Sequence, residues 1–340
     1  MIGPTDSLYN IIMIDFAQSS SYDDKVYSVD RTDGEAPSQL PHIHVIATGG
    51  TIAMQVDAGH GGAIPALSGA DLVAAVPDLA QIARLTVEEF SNSPSEHVTP
   101  ELWIQLMVRI NEIMATHDIQ GIVITHGTDT MEETAFFLDL TIAGDLPIVL
   151  TGAQRPASAP DADGPGNLRD AVRVAAHPES RGRGVMIVMH GEVHTACEAT
   201  KANTEDLDAF DSHSGTDLGT FRNGQIIFTG EIFPRRHFPL PDNLPRVDII
   251  PMYAGADQAA LDAALARGAS GLVVAAVGAG NVNQALFGGI EAALDQGVAV
   301  VISTRVPYGL VRPLYAYMGG GASLRRAGAI MAGELTPQKA

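Results

Sequence analysis

Two short segments of this 340-residue chain crowd hydroxyl, carboxyl and imidazole groups onto turns that follow apolar runs. The first is Thr48-Gly49-Gly50-Thr51-Ile52-Ala53. Paired glycines let the backbone turn sharply and approach a ligand closely, which leaves the Thr51 hydroxyl exposed at the end of a strand. An ordinary strand-to-helix turn capped by threonine fits the same letters. The second is Thr125-His126-Gly127-Thr128-Asp129-Thr130. Thr128, Asp129 and Thr130 all suit helix N-capping, but a cap needs one of them, and the excess points to chemistry. A threonine hydroxyl is a poor nucleophile at neutral pH and needs a base beside it. Lysine can lose its proton when desolvated, whereas arginine cannot. The chain uses arginine almost everywhere. Of its three lysines, Lys25 lies near the start and Lys339 next to the end, so the folded body is expected to hold one, Lys201. That makes Lys201 a candidate for proton transfer, against the ordinary reading of an incidental surface lysine.

The elements that must position these turns follow from period and composition. His42–Thr48, Gly121–Thr125, Pro147–Leu150 and Val185–Met189 read as strands. Between them Leu72–Val76, Trp103–Met114 and Asn167–Ala176 read as helices, as does the apolar run Ala135 to Ile142. Thr130 and Glu133 have capping-box spacing at the start of that last helix. The alternation implies an α/β fold, a mostly parallel sheet covered by helices on both faces. Ligands of such sheets sit at the carboxyl ends of strands, which here are Thr48–Thr51, Thr125–Asp129 and Thr151–Arg155. The proline-rich stretch 233–246 reads as a linker. Beyond it, 247–340 restarts as a smaller α/β domain, with strands at Val247–Met252, Gly271–Val277 and Ala299–Thr304 and helices at Ala259–Ala266 and Gln284–Asp295. Residues 1–40 show no persistent period and read as an irregular extension, leaving 41–232 as the larger domain.

Composition excludes several classes. The net charge is −20, so a nucleic acid would be repelled by the average surface. No apolar run approaches the ~18 residues of a membrane span. Cys197 is the one cysteine, so no intramolecular disulfide is expected, and a lone cysteine is usually a small buried residue. Asp6 and Asp15 spoil a secretory signal, so a cytoplasmic location is expected. His190-Gly191-Glu192-Val193-His194 has its glutamate in the wrong place for a zinc-protease helix, and Gly278-Ala279-Gly280 lacks the third glycine of a dinucleotide fingerprint. No metal and no cofactor are expected.

Taken together, Thr48–Ala53 and Ile124–Leu140 resemble the two signature segments of the bacterial-type L-asparaginase family. The likeness runs on through Thr151–Pro156, Ala162–Leu168, Thr200–Thr204, Gly278–Asn281 and Arg305–Pro307, and covers residues 41 to 340. The resemblance implies a larger N-terminal and a smaller C-terminal α/β domain, and a homotetramer built as a dimer of dimers. It implies hydrolysis of L-asparagine, and often L-glutamine, to the acid and ammonia without a cofactor. Thr51 matches the family nucleophile, and Thr128, Asp129 and Lys201 match the second catalytic group. Ser95 and Glu96 match the pair that grips the substrate's α-carboxylate and α-amine. Ala153 matches a residue whose backbone contacts the side-chain amide.

The sequence departs from the family pattern in four places. Met54–Gly69 lacks the tyrosine that many members carry near the nucleophile, and offers His60, among glycines, as its one proton carrier near neutral pH. A glycine replaces an expected asparagine near Tyr253-Ala254-Gly255. No acidic residue follows Arg305-Val306-Pro307 where a neighbouring subunit often contributes one. Relatives continue past the position of Ala340 into a further helical segment. Two other readings stand beside the enzyme. One is an amino-acid-binding homologue without activity; the other is the asparaginase-like subunit of a tRNA amidotransferase, for which residues 1–40 are too short and irregular.

Overall fold

The structure is a computed structural model that describes residues 26–29, 40–215, 217–230, 232, 235–239 and 244–340. The N-terminal half begins with β1 (Val26–Val29), β2 (His42–Ala47), β3 (Met54–Asp57), β4 (Gly62–Pro65), α1 (Gly69–Ala74), β5 (Arg84–Glu89) and α2 (Pro100–Thr116). It continues with β6 (Gly121–Thr125), α3 (Met131–Thr141), β7 (Ile148–Thr151), α4 (Gly164–Ala176) and β8 (Val185–Met189). Five short strands follow: β9 (Glu192–Thr195), β10 (Ala199–Lys201), β11 (Phe210–Ser212), β12 (Gly219–Arg222) and β13 (Gln225–Phe228). The C-terminal part is β14 (Val247–Pro251), α5 (Ala259–Ala266), β15 (Gly271–Ala276), α6 (Gln284–Asp295), β16 (Ala299–Thr304), α7 (Gly321–Ala327) and β17 (Ile330–Met331).

The large sheet runs β1-β5-β2-β6-β7-β8-β9-β12-β13. Its central strands β5, β2, β6, β7 and β8 are parallel, and antiparallel strands close both edges. Successive side chains of a strand point to opposite faces. Val45, Val123, Val149 and Val188 therefore pack with Leu72 of α1 and with Leu168 and Val172 of α4 on one face. Ile46, Ile124, Leu150 and Ile187 pack with Ile110 of α2 and Leu138 of α3 on the other. Both faces are apolar, which is why the central strands read as continuous hydrophobic runs.

The chain leaves β2 toward β5 on one side and later resumes at β6 on the other. The crevice between β2 and β6 is thus the topological switch point, where α/β sheets bind ligands. Ala47, Thr125 and Thr151 are partners in register across β2, β6 and β7. The three turns that follow those residues therefore emerge side by side.

The C-terminal domain is a separate parallel sheet, β14-β15-β16-β17. Leu261, Leu286, Ile290 and Leu324 of its three helices cover one face, against Ile250, Leu272, Val274, Val300 and Ile302.

Three expectations change. Met54–Gly69 is not an open loop but the hairpin β3–β4 leading into α1, whose Ser68 and Asp71 form a capping box. Residues 191–230 add antiparallel strands where none was expected. Most of the extension 1–40 lies outside the described residues, but Val26–Val29 forms an edge strand on β5. The 233–246 stretch also falls partly outside them. Where described it is tied to α3 and the loop after it: Arg235 pairs with Asp139 at 2.7 Å and bonds the Gly144 carbonyl, and Phe238 N donates to Leu140 O.

Candidate active site

The β2 and β6 turns are locked together by backbone. Thr48 N and its hydroxyl both donate to Thr125 O, at 3.1 and 2.8 Å. His126 N donates to Thr151 O at 2.8 Å, which joins the β7 turn to the other two. Gly50 has φ 87°, and a Cβ there would collide with the backbone of Gly127. A Cβ on Gly127 would in turn lie 2.7 Å from Ser95 Oγ. These two glycines let the Thr51 turn, the Thr128 turn and the Ser95 turn touch, which a side chain at either position would prevent.

Thr51 opens a single 3₁₀ turn, Thr51–Ala53, whose Ile52 and Ala53 are buried. Its own side chain is half-buried and makes no hydrogen bond among the described residues. Across the crevice, Lys201 Nζ donates to Thr128 Oγ1 at 2.8 Å and to Asp129 Oδ1 at 2.6 Å. The Thr128 hydroxyl donates to Gln154 Oε1 at 3.0 Å, and Gln154 Nε2 donates to Asp206 O at 3.1 Å. The carbonyl of Asp206 can only accept, so it fixes which way the Gln154 amide faces. Gln154 belongs to the Thr151–Pro156 segment, but nothing local in the sequence marks it as Thr128's partner.

Ser95 is buried at the start of the 3₁₀ turn Ser95–His97. Its hydroxyl accepts from Asp129 N at 3.2 Å, and its carbonyl accepts from the Thr130 hydroxyl at 2.8 Å. The Thr130–Glu133 capping box is therefore absent: Thr130 sits at the N-cap, but its hydroxyl is taken by Ser95. Glu96 beside it is exposed, and the Asp129 carboxylate is open to solvent. Ala153 is fully buried on the β7 turn. Asp163 braces that turn by accepting from Gln154 N and Arg155 N, while Asn167 donates to Gly152 O.

His126 is a brace for the Thr128 turn. Its Nδ1 donates to Gly127 O at 2.7 Å, which makes Nε2 the acceptor for Thr134 Oγ1 at 3.0 Å. Trp103 Nε1 donates to Thr134 in turn. Burial pushes the His126 ring below its usual range, although the Gly127 carbonyl opposes this, so it stays neutral.

Two expectations about lone residues need correction. Lys339 is not a loose terminal lysine: it is buried, so the described residues hold two lysines, Lys201 and Lys339. Cys197 is exposed rather than buried. Glu192 and His194, from the segment that lacks the zinc-protease pattern, lie on β9. They meet Asp217, with one ligand-type atom from each residue within 4.8 Å of the others. The buried His194 Nδ1 is engaged there by Ser212 Oγ at 2.9 Å and Asp217 Oδ1 at 3.0 Å. His60 sits at the tip of the β3–β4 hairpin with its side chain 72% exposed, and its Nδ1 lies 2.8 Å from Asp57 Oδ1.

A switch-point crevice lined by two threonine turns, a lysine and a buried serine turn, in a chain that also holds a second α/β domain, defines a class of two-domain α/β protein. Residues 42–233 match the family model of the asparaginase N-terminal domain, and residues 246–340 match that of the glutaminase/asparaginase C-terminal domain. The chain belongs to the asparaginase family. It is 40% identical to L-asparaginase 2 of Bacillus subtilis (strain 168) over 81% of this chain and 75% of the relative. It is also 40% identical to the probable periplasmic L-asparaginase of Haemophilus influenzae, over 89% and 87%. The crystal structure of a probable cytoplasmic L-asparaginase from Campylobacter jejuni superposes with a TM-score of 0.79 at 35% identity, covering 88% of this chain and 92% of that one. Among the described residues no helix is long and apolar enough to cross a membrane.

Proposed function

We propose that this protein hydrolyses the side-chain amide of L-asparagine to L-aspartate and ammonia, with L-glutamine as a second substrate. The observation that carries this reading is the Lys201–Thr128–Asp129 cluster at 2.8 and 2.6 Å, on the turn that packs against Gly50 and hence beside Thr51. Family membership and the names of the relatives support it.

In this reading the Thr51 hydroxyl attacks the amide carbon. The charge that develops on the amide oxygen is met by backbone N–H groups of the glycine turns. Ammonia leaves, the aspartyl group stays on Thr51 as an ester, and water cleaves the ester. Lys201 and Thr128 move the proton. As an ammonium, Lys201 donates to Thr128; as an amine, it takes a proton across the same contact. Asp129 and Glu96 present carboxylates to the substrate ammonium, the Ser95 turn faces the α-carboxylate, and the Ala153 backbone meets the amide. No cofactor enters. The functional unit is a homotetramer in which the small domain of one subunit completes the site of another.

Ammonia release from asparagine and from glutamine by the purified protein tests the reading. Release from asparagine is expected. Asparagine binding without ammonia release would instead fit an amino-acid-binding homologue.

A further inference from the structure

Strand β10 carries Lys201 and is three residues long, so a single neighbouring strand cannot fix it firmly. Residues of the other domain grip it. Lys339 Nζ donates to the carbonyls of Cys197, at 3.0 Å, and of Ala199, and lies 5.8 Å over the ring of Phe136 on α3. The preceding residue, Gln338, donates to Glu132 Oε1 at 2.6 Å. The other oxygen of that carboxylate, Oε2, accepts from the backbone N–H of Lys201 at 3.0 Å. Glu132 is 4% exposed, so both of its oxygens are spent on these two donors in a site that water hardly reaches. Two successive residues of the C-terminal domain thus end on the strand and on the buried acid that set the backbone of Lys201.

We propose that Gln338 and Lys339 are positioning residues for Lys201: through Glu132 and the carbonyls of Cys197 and Ala199 they hold its amine against Thr128 and Asp129. This rests on the reading of Lys201 as the proton-transfer group. Residue type supports it. In a chain rich in arginine, the position facing these two carbonyls holds a lysine, whose compact ammonium directs its donors from one point rather than from a planar fork. Burial holds the Lys339 ammonium below the usual lysine range, with Glu132 nearby opposing that shift. Catalytic geometry tolerates little slack: a misplacement of about 1 Å caused far from the chemistry can cost about 10²-fold in rate. Simple docking of the C-terminal residues is the alternative, and it predicts lost thermal stability with Lys201 unchanged.

The test compares the full chain with Gln338→Leu, Lys339→Met and the double variant. One readout is ammonia release as a function of pH. The other is acetylation of the Lys201 amine by acetic anhydride across pH, read by peptide mass spectrometry against an added amine standard. The expected result is a kcat about 10- to 100-fold lower with KM for asparagine nearly unchanged, a displaced pH profile, and faster labelling of Lys201. Glu132→Gln, which keeps an acceptor for Lys201 N, should retain more activity than Glu132→Leu. A folded Gln338→Leu with the parent's kcat, pH profile and Lys201 labelling overturns the proposal, and this mild variant decides the matter if the double variant does not fold. If the parent releases no ammonia from asparagine, the asparaginase reading fails. The labelling comparison then still decides whether Gln338 and Lys339 set Lys201.

Discussion

Thr128 has two partners and one proton. Lys201 as an ammonium can only donate, and Gln154 Oε1 can only accept, so the Thr128 hydroxyl proton points at Gln154 at rest. Accepting a proton from the nucleophile requires Lys201 to have lost one, which an arginine never does. Lys201→Arg is therefore expected to lower kcat/KM by about 10³-fold, as are Thr51→Ala and Thr128→Ala, because groups that act as a unit fail together. Near-parental turnover in Lys201→Arg ends the proton-transfer role. Glu96 offers a carboxylate where an amide would bind an ammonium less strongly. Glu96→Gln should thus lower glutaminase relative to asparaginase activity, and an unchanged ratio of kcat/KM values removes Glu96 from specificity. For His60 the sequence leaves open either a proton relay or a cover. Its exposed ring lies beside Asp57 at the hairpin tip and bonds nothing in the crevice, which favours the cover. His60→Ala should keep both rate and pH profile; losing a limb near neutrality would restore the relay.

At the scale of elements, Glu88 is the polar pin between β5, β2 and α2. Arg109 on α2 donates to it at 2.8 and 2.9 Å, and His44 Nε2 lies 3.2 Å away. Burial alone would raise the Glu88 carboxyl, but the His44 and Arg109 hydrogen bonds and the Arg109 charge outweigh it and hold the group at about 2. A depressed folded value means the stabilisation is complete above the unfolded value near 4.5. It is lost as pH falls toward 2, and amounts to about 3 kcal/mol. Glu133 and Asp170 shift upward, mainly through burial, and so act in the opposite direction on acidification. The Glu88→Gln variant separates the terms: its melting temperature should be below the parent's at pH 7, with the gap closing toward pH 2. A constant gap would show that Glu88 contributes packing only. His44, Glu88 and Arg109 lie 44 and 21 residues apart in pairs, so no local spacing marked them. Gly121–Thr125 was legible as a short unbroken apolar run, and Gln284–Asp295 because its apolar residues repeat at helical spacing. The short strands β9 to β13 were not, because three or four residues carry too little period. The glycine-rich start of α7 hid a helix for a related reason, since glycine is a poor helix former. In the site, Thr51, Thr128, Asp129 and Lys201 stood out by type and crowding. Gln154, Glu132 and Gln338 did not, because their partners lie 26, 69 and 206 residues away.

The whole molecule sets two tendencies against each other. The three helices of the C-terminal domain pack on one face of its sheet. On the other face Ile249, Val273, Val301 and Ile330 lie in register, one from each strand, and the edge residues Ile249 and Ile330 are 47% and 57% exposed. Parallel sheets are ordinarily buried on both faces, and exposed apolar patches mark contact surfaces. Each chain also carries a net charge of −20, so two copies repel one another through water. If activity needs the assembled form, as the family reading holds, specific activity should fall on dilution as subunits part. Repulsion between like-charged copies weakens once the Debye length shrinks to about 8 Å near 0.15 M salt. The dilution curve should therefore move to lower protein concentration when salt is raised from low ionic strength to that level, with light scattering reporting a matching rise in mass. A protein that scatters as a monomer and keeps full specific activity at every dilution would show that one chain holds the complete site. The acidic surface would then bear on solubility alone, and the crevice between β2 and β6 would have to close over substrate without help from a neighbour.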